Sequence, residues 1–314
     1  MEYSQLGTTD LRISRIGFGC WAIGGHGYGQ VDDRQSIKAI RRALDLGINF
    51  FDTADVYGFG HSEEILGRGL GSQKNNVVIA TKFGVRWDKN GKVYKDCSPK
   101  IIFAALDESL RRLKIDAISL YQIHWHDGVT PIYDIMEALQ KCQQVGKVRH
   151  IGCSNFQKSL VDDAFKTQRL ESLQILYNII QRNTQDLITY CAGTLKMGIL
   201  AYGVLGRGLL TGKYGSDAKF GYQDTRSDDE NFRREKLLNN LQIVSLLRKI
   251  AIKYNQNSSQ VAIRWVLDHP DITCAITGIK TSQQIEDNVK SLEFKLSGED
   301  YNQIANESLK INDR

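Results

Sequence analysis

Short apolar runs alternate with amphipathic patterns along most of the chain. A continuous apolar run is typical of a strand buried on both faces, whereas apolar residues spaced three and four apart are typical of a helix. The apolar runs predict eight strands, at residues 15–18, 49–53, 77–82, 118–124, 148–152, 173–177, 198–202 and 274–278. Helical patterns between or after them cover residues 33–46, 99–113, 133–145, 158–166 and 235–254.

Strands that alternate with helices favour a parallel sheet covered on both faces. Eight such units, with no composition break that would mark a linker, predict an α/β fold of the closed (β/α)8 TIM-barrel type, as a single domain over residues 1–314. A doubly wound sheet is the alternative fold. A Gly-Thr-Thr-Asp turn at residues 7–10, between short runs, adds an N-terminal β-hairpin.

Residues 203 to 232 interrupt the alternation. This segment is first Gly-rich and then polar and charged, and it has no clear period. Long irregular segments in compact domains are usually lids or binding loops, and disorder is the alternative reading.

Composition and charge narrow the class of protein. The 314 residues carry 41 Lys+Arg against 36 Asp+Glu, and the basic residues are interleaved with acidic ones, which argues against a nucleic-acid partner. The N-terminus does not resemble a signal peptide, and no apolar stretch approaches the roughly 18 residues of a membrane span. The six scattered cysteines fit reduced, mostly structural thiols. We therefore expect a cytoplasmic protein without a membrane partner; nothing in the sequence indicates an oligomeric state.

Polar residues collect at the carboxyl ends of the predicted strands, where the catalytic groups of a TIM barrel gather. Asp52 ends the second strand and Tyr57 lies in the loop that follows it. Lys82 ends the third strand and His124 ends the fourth. A buried lysine at a barrel mouth needs an anionic partner, and Asp52 on the neighbouring strand is the obvious one.

These four residue types suit the protonation of an oxygen whose carbon receives a hydride. A lysine cation close to a tyrosine oxygen stabilises the phenolate, which makes Tyr57 a candidate general acid and base. Asp52 would hold Lys82 charged and oriented. His124 would donate a hydrogen bond to a carbonyl oxygen and fix its direction.

Two segments resemble the signatures of the aldo-keto reductase family. Residues 47–58 read GINFFDTADVYG and are followed by SEEILG at 62–67, and residues 146–156 read GKVRHIGCSNF. The resemblance spans essentially the whole chain and looks closer to the bacterial and potassium-channel β-subunit-like members. It implies a (β/α)8 barrel that reduces an aldehyde or ketone, a small-molecule carbonyl substrate, with a nicotinamide cofactor, usually NADPH. It places the family's catalytic tetrad on Asp52, Tyr57, Lys82 and His124.

The resemblance also implies a set of cofactor contacts. The residues near the nicotinamide would be Cys20, Trp21, Asp52, Ser154, Asn155, Gln174 and Tyr202. The pyrophosphate would be lined by Gly203, Val204, Leu205, Gly206, Arg207 and Lys213, with Arg226 closing over the cofactor. The adenosine phosphate end would contact Gly278, Lys280, Gln284, Asp287 and Asn288. Many members carry an arginine for the 2′-phosphate where this chain has Gln284, so Lys280 is expected to substitute, and NADPH is preferred to NADH.

Other readings of these residues remain open at this point. A cofactor-binding sensor or regulatory subunit with little turnover is the runner-up, and Lys82 in a barrel also raises a Schiff-base lyase. His124 and His126 lie two apart on one strand, as in some metal-dependent barrel hydrolases, but no further ligands recur at other strand ends, so no metal is expected. The candidate substrate wall consists of Trp21, Tyr28, Trp87 and Trp125.

Overall fold

The computed structural model describes residues 1–25, 31–221 and 224–312. The strands are β1 (Tyr3–Gln5), β2 (Arg12–Ser14), β3 (Ile16–Gly19), β4 (Phe50–Asp52), β5 (Val78–Phe83), β6 (Val85–Trp87), β7 (Val93–Lys95), β8 (Ile118–Ile123), β9 (Val148–Ser154), β10 (Ser172–Leu176), β11 (Gly198–Tyr202) and β12 (Cys274–Gly278). The α-helices are α1 (Asp33–Asp45), α2 (His61–Leu70), α3 (Pro99–Leu113), α4 (Ile132–Gln144), α5 (Lys158–Phe165), α6 (Gln185–Thr189), α7 (Arg234–Lys253), α8 (Ser258–Leu267), α9 (Ser282–Val289) and α10 (Gly298–Asn312).

Eight parallel strands form a closed barrel in the order β3, β4, β5, β8, β9, β10, β11 and β12. Strand β12 pairs in parallel with β3, from Ala275 opposite Ile16 to Gly278 opposite Gly19, and this pairing closes the sheet. The predicted barrel is confirmed, and the doubly wound alternative is excluded because a doubly wound sheet has two free edges. Each predicted strand coincides with a barrel strand to within two residues at either end.

The predicted N-terminal hairpin is present as β1 and β2, and it packs against the amino end of the barrel. Leu6 and Ile13 from this hairpin share a buried cluster with the barrel-interior residues Phe50, Leu120 and Leu200. The hairpin thus covers one end of the barrel interior. Functional groups can collect only at the opposite end, where the strands terminate at their carboxyl sides.

A second, larger apolar cluster fills the space between the barrel and its surrounding helices. Helix α1 presents one buried face, and its buried positions Ser36, Ala39, Ile40 and Ala43 lie three and four apart, whereas α8 is buried on nearly all sides. None of the helices in the described part of the chain is both long and apolar enough to span a bilayer.

The prediction of an irregular segment at residues 203–232 is confirmed, since the described part of this segment contains no α-helix or β-strand. Its described part contains a 3-10 helix at Gly206–Thr211 and another at Glu230–Phe232. The β6–β7 hairpin, which pairs Val85 with Lys95 and Trp87 with Val93, has no counterpart among the predicted elements. This hairpin follows the carboxyl end of the barrel strand β5 and precedes α3.

Candidate active site

Lys82 lies at the centre of the carboxyl end of the barrel, near the end of β5, with its side chain completely buried. Its Nζ donates to Asp52 Oδ1 at 2.7 Å, to the Thr53 carbonyl oxygen at 2.8 Å and to the Tyr57 hydroxyl at 3.3 Å. The Asp52 carboxylate is almost as buried, so the two charges neutralise one another away from water. The pairing expected from the strand ends is therefore present.

The second carboxylate oxygen of Asp52 is also occupied. Gln174 Nε2 donates to Asp52 Oδ2 at 2.7 Å, and Gln122 Nε2 donates to the same oxygen at 3.3 Å. Strands β4, β5, β8 and β10 thus each contribute one side chain to this buried polar group, and β9 lies between β8 and β10. Gln122 was not a predicted site residue, because an amide inside an apolar strand carries no signal of its own in the sequence.

Tyr57 stands over this group. Its ring lies 4.9 Å from Lys82 Nζ, and its ring centroid is 5.7 Å from that of His124, with the two planes nearly perpendicular at 82°. On its other side, Trp21 is stacked at 6.1 Å and 24°. A cation beside a phenol oxygen stabilises the phenolate, so this arrangement is competent for proton transfer at the Tyr57 oxygen.

The imidazole of His124 is held in its neutral form. Burial and the positive charge of Lys82 lower the pKa of His124 well below its usual range. A neutral imidazole carries one N–H donor, and it can direct a carbonyl oxygen towards the Tyr57 hydroxyl without bringing a second cation into the site.

A close backbone approach sets the position of the Tyr57 loop. Gly58 has φ +60°, and a Cβ added there would lie 1.9 Å from the Gly24 carbonyl oxygen. We expect Gly58→Ala to displace Tyr57 and to lower kcat by about 100-fold, since misplacement of a reacting group by about 1 Å has effects of this size. Gly128→Ala is the matched control, because Gly128 also has positive φ but its Cβ would meet nothing within 4 Å. Steady-state kinetics on both variants provide the test; equal losses would point to backbone strain rather than displacement of Tyr57.

A polar shelf lies beside the tetrad, at the ends of β9 and β11. The Tyr202 hydroxyl donates to Asn155 Oδ1 at 2.7 Å, and Asn155 Nδ2 donates to Ser154 Oγ at 3.0 Å and to the His124 carbonyl oxygen at 3.2 Å. Burial raises the pKa of Tyr202 to about 12, so its phenol is neutral. The shelf therefore offers neutral hydrogen-bonding groups and a flat aromatic face.

Three cationic side chains converge farther along the rim. Lys213 and Arg226 both lie near the ring of Tyr214, with Lys213 Nζ at 4.9 Å and the Arg226 guanidinium carbon at 5.6 Å from its centroid. Burial lowers the pKa of Lys280, as do the positive charges of Arg226 and Lys213. Asp224 is the acid facing this cluster, and it forms a two-point ion pair with Arg226. The cluster is suited to a phosphate-bearing ligand.

One continuous cleft of about 1010 Å³ joins the tetrad, the shelf and the cations. Of the sequence-predicted residues, the cleft is lined by Trp21, Asp52, Tyr57, His124, Trp125, Ser154, Asn155, Gln174, Tyr202, Gly203, Val204, Leu205, Gly206, Arg207, Lys213, Arg226, Gly278, Lys280, Gln284, Asp287 and Asn288. It is also lined by residues that were not predicted, among them Val56, Phe59, Val93, Gln181, Tyr214 and Thr225.

The structure places some predicted residues differently. Cys20 is fully buried beneath the rim, where its backbone nitrogen donates to the Asp52 carbonyl oxygen, and it does not line the cleft. Trp87 also stands back from the cleft and packs against Phe59 at 5.5 Å. Tyr28 lies outside the described residues. Gln284 reaches the cleft, but its Oε1 accepts from the backbone nitrogens of Lys280 and Thr281 at the start of α9.

His126 does not join His124 at the site. Its Nε2 lies 2.8 Å from the Thr130 carbonyl oxygen, and its Nδ1 accepts from the Gly128 nitrogen at 3.0 Å. Both ring nitrogens therefore stabilise the loop that follows β8. Although His124 and His126 are only two residues apart in the sequence, their ring nitrogens do not face a common ligand position.

Comparison with known proteins shows to which family this chain belongs. The model of the Aldo/keto reductase family matches residues 15–307.

The chain belongs to the aldo-keto reductase family.

Individual aldo-keto reductases resemble it over nearly their full length. The aldo-keto reductase YhdN of Bacillus subtilis is 36% identical over 97% of this chain and 92% of that protein. An NADH-specific methylglyoxal reductase of Escherichia coli is 32% identical over 96% of each chain. The solved structure of a glycerol dehydrogenase from Gluconobacter oxydans superposes with a TM-score of 0.91 at 37% identity, covering 98% of this chain and 95% of that one. Membership places the chain among enzymes that carry out carbonyl oxidoreduction with a nicotinamide cofactor.

Proposed function

We propose that this protein is a cytoplasmic, NADPH-dependent reductase that converts an aldehyde or ketone to an alcohol. The observation that carries the proposal is the convergence of Tyr57, Lys82 and His124 at one end of a cleft whose other end is lined by three cations. The first group suits proton transfer to a carbonyl oxygen, and the second suits a phosphate-rich cofactor. The six cysteines are free and buried, which fits a reducing compartment.

We further infer that residues 1–314 act as a single domain. The barrel strands run from Ile16 to Gly278, and the segments at both ends of the chain pack against this body. Leu6 joins the barrel interior, and Trp265 Nε1 of α8 donates to the Tyr301 carbonyl oxygen of α10 at 3.3 Å. Neither terminal segment has an apolar core of its own among the described residues.

In the proposed mechanism, the protein supplies the proton and orients the carbonyl. His124, as a neutral donor, binds the carbonyl oxygen and directs it to the Tyr57 hydroxyl. Tyr57 gives its proton to that oxygen, and the nearby Lys82 ammonium stabilises the phenolate that remains. Asp52 keeps Lys82 in place through the 2.7 Å bond. A nicotinamide cofactor, when bound in the cleft, would supply the hydride to the carbonyl carbon.

The residues in the cleft fit such a cofactor. Ser154, Asn155 and Gln174 offer amide and hydroxyl groups for a carboxamide, and Tyr202 offers an aromatic face next to them. The loop from Gly203 to Arg207 lines the cleft between this shelf and the cations, at the position suited to a pyrophosphate. Burial, together with the positive charges of Arg226 and Lys213, lowers the pKa of Lys280, so an anion bound among these three cations would relieve their mutual repulsion.

In this proposal, Lys280 binds the 2′-phosphate of NADPH, which NADH lacks, and thereby gives the preference for NADPH. We expect Lys280→Met to raise the Kd of NADPH by about tenfold or more, as the loss of a charge-assisted hydrogen bond would, and to change the Kd of NADH much less. Fluorescence titration with both nucleotides measures this. Lys310→Met on α10, an exposed lysine bound to Glu307, is the matched control. Equal losses for NADPH and NADH would contradict a 2′-phosphate contact. A wild type that binds NADH more tightly than NADPH would favour the specificity named for the Escherichia coli relative.

The substrate would enter between aromatic walls. Trp21, Phe59 and Trp125 line the cleft, together with Val93 of the β6–β7 hairpin. A Schiff-base lyase is disfavoured because Lys82 is fully buried and its Nζ is engaged by three acceptors, whereas covalent catalysis needs a neutral and accessible amine.

A further inference from the structure

Behind the loop that carries Tyr57, five charged side chains form a network that the proposed chemistry does not use. Arg86 of β6 binds Asp55 Oδ2 at 3.1 Å and Glu108 Oε2 at 3.2 Å. Arg112 of α3 binds Glu63 Oε2 at 2.7 Å and Glu108 Oε2 at 3.4 Å. Asp55 and Glu63 are completely buried, whereas the side chain of Glu108 is 40% exposed. Asp55 lies only two residues before Tyr57.

The surroundings of Asp55 destabilise a charged carboxyl group. Three carboxyl groups share two guanidinium groups, and the Asp55 Oδ1 atom is buried without a hydrogen-bond partner in the described part of the chain. Burial and the negative charge of Glu63 raise the pKa of Asp55 to about 7. An incompletely satisfied buried carboxyl group lowers stability, so folding alone gives no reason for this residue.

Arg86 connects Asp55 to the substrate side of the cleft. The guanidinium carbon of Arg86 lies 4.9 Å from the ring centroid of Trp87, and Trp87 packs against Phe59 at 5.5 Å. Trp87 is also paired with Val93 across the β6–β7 hairpin. Phe59 and Val93 both line the cleft beside Tyr57. The chain of contacts therefore runs from the loop of the proton donor to the wall that would face the substrate.

We propose that Asp55 and Arg86 are a positioning pair that holds the β6–β7 hairpin against the Tyr57 loop and thereby sets the substrate side of the cleft. This inference rests on the proposed function, because it assigns the pair a role in carbonyl selection. A two-stranded hairpin of three-residue strands is marginally stable by itself and needs an anchor. The buried bond between Asp55 and Arg86 is directional, charge-assisted and shielded from water, so it is suited to that task.

The pair also predicts a dependence on pH. The groups facing Asp55 are Arg86 from β6, Glu63 from α2, Glu108 and Arg112 from α3, and the Tyr121 hydroxyl from β8. Loss of the Asp55 proton as the pH rises through about 7 places a full charge opposite Arg86 and strengthens their bond. The hairpin is then held more firmly, so KM for a carbonyl that fills the aromatic wall should fall over this range.

The test is Asp55→Asn, which keeps the shape of the side chain and removes its charge. We expect KM for the carbonyl to rise about tenfold at pH 8, the size of effect that follows from weakening one charge-assisted bond, while the Kd of NADPH is unchanged. The fall of KM through neutral pH should disappear. Amide hydrogen exchange at residues 85–95 should become faster. Glu108→Gln is the matched control: it removes a half-exposed carboxylate from the same network and should change KM little.

Two results would overturn the proposal. One is an Asp55→Asn variant whose KM, pH profile and hairpin exchange equal those of the wild type. The other is a variant that loses NADPH affinity in proportion to KM, which would indicate a general structural role. If Asp55→Asn does not fold, Arg86→Gln replaces it: the glutamine keeps an amide donor but removes the positive charge opposite Asp55, so KM should rise similarly. A wild type without any carbonyl turnover would refute the proposed function, whereas hydrogen exchange would still decide whether Asp55 anchors the hairpin.

Discussion

Replacement of Tyr57 by phenylalanine should lower kcat by about 100-fold to 10,000-fold, the range for removal of a general acid. The phenylalanine ring keeps the packing against Trp21 and His124, so the cleft retains its shape. Only the hydroxyl next to Lys82 Nζ, at 3.3 Å, is lost. The Kd of NADPH should therefore stay close to the wild-type value. Steady-state kinetics and a fluorescence titration measure the two quantities separately.

Tyr133→Phe provides the control for this variant. Tyr133 is exposed on α4 and also loses a hydroxyl with one hydrogen-bond partner, Glu137 at 2.7 Å. Its removal should leave kcat unchanged. A Tyr57→Phe variant with wild-type kcat would mean that another group donates the proton, and a large loss of NADPH affinity would mean that the hydroxyl acts in binding.

Replacement of Lys82 by methionine should destabilise the protein by about 3–5 kcal/mol in addition to abolishing turnover, because it leaves a buried carboxylate without its counter-charge. Asp52 is held at 2.7 Å from Lys82, and both side chains are almost fully buried. The free energy of unfolding from urea titration at pH 8 measures the effect. Tyr57 also loses the cation that stabilises its phenolate, so kcat should fall at least as far as in Tyr57→Phe.

Two comparisons make this prediction specific. The double variant Lys82→Met with Asp52→Asn removes both charges and should regain much of the stability while remaining inactive. Lys147→Met breaks an ion pair of the same length, with Asp107 at 2.7 Å, but at the surface, and should have little effect. If the single and double variants were equally unstable, the charge of Asp52 would not be the cause.

The barrel could be predicted from the sequence because its strands are buried on both faces. Such strands are nearly continuous apolar runs, and all eight of them were located in this way. Once the fold is a barrel, the carboxyl ends of the strands meet, so Asp52, Lys82 and His124 could be brought together without knowing any distance. The short distances in the site agree with that prediction.

The parts that could not be predicted depend on tertiary contacts with no sequence period. Gln122 faces Asp52 only because β8 has a particular rotation in the barrel. The β6–β7 hairpin is a two-stranded excursion whose strands have three residues each, and it moves Trp87 away from the cleft while bringing Val93 to it. Cys20 and Trp21 are adjacent in the sequence, yet the 3-10 helix that begins at Trp21 buries the thiol and leaves the indole at the rim.

We have proposed that this cleft reduces a carbonyl group with NADPH. The most direct test is to incubate the purified protein with NADPH and a panel of aldehydes, keto-sugars and quinone-like ketones, and to quantify the nucleotide oxidised and the alcohol formed. We predict equal amounts of NADP⁺ and alcohol for at least one carbonyl, formed at a rate that falls by about 100-fold or more in Tyr57→Phe under the same conditions. Tight binding of NADPH without turnover of any carbonyl would contradict this account and would favour a cofactor-binding sensor or regulatory subunit.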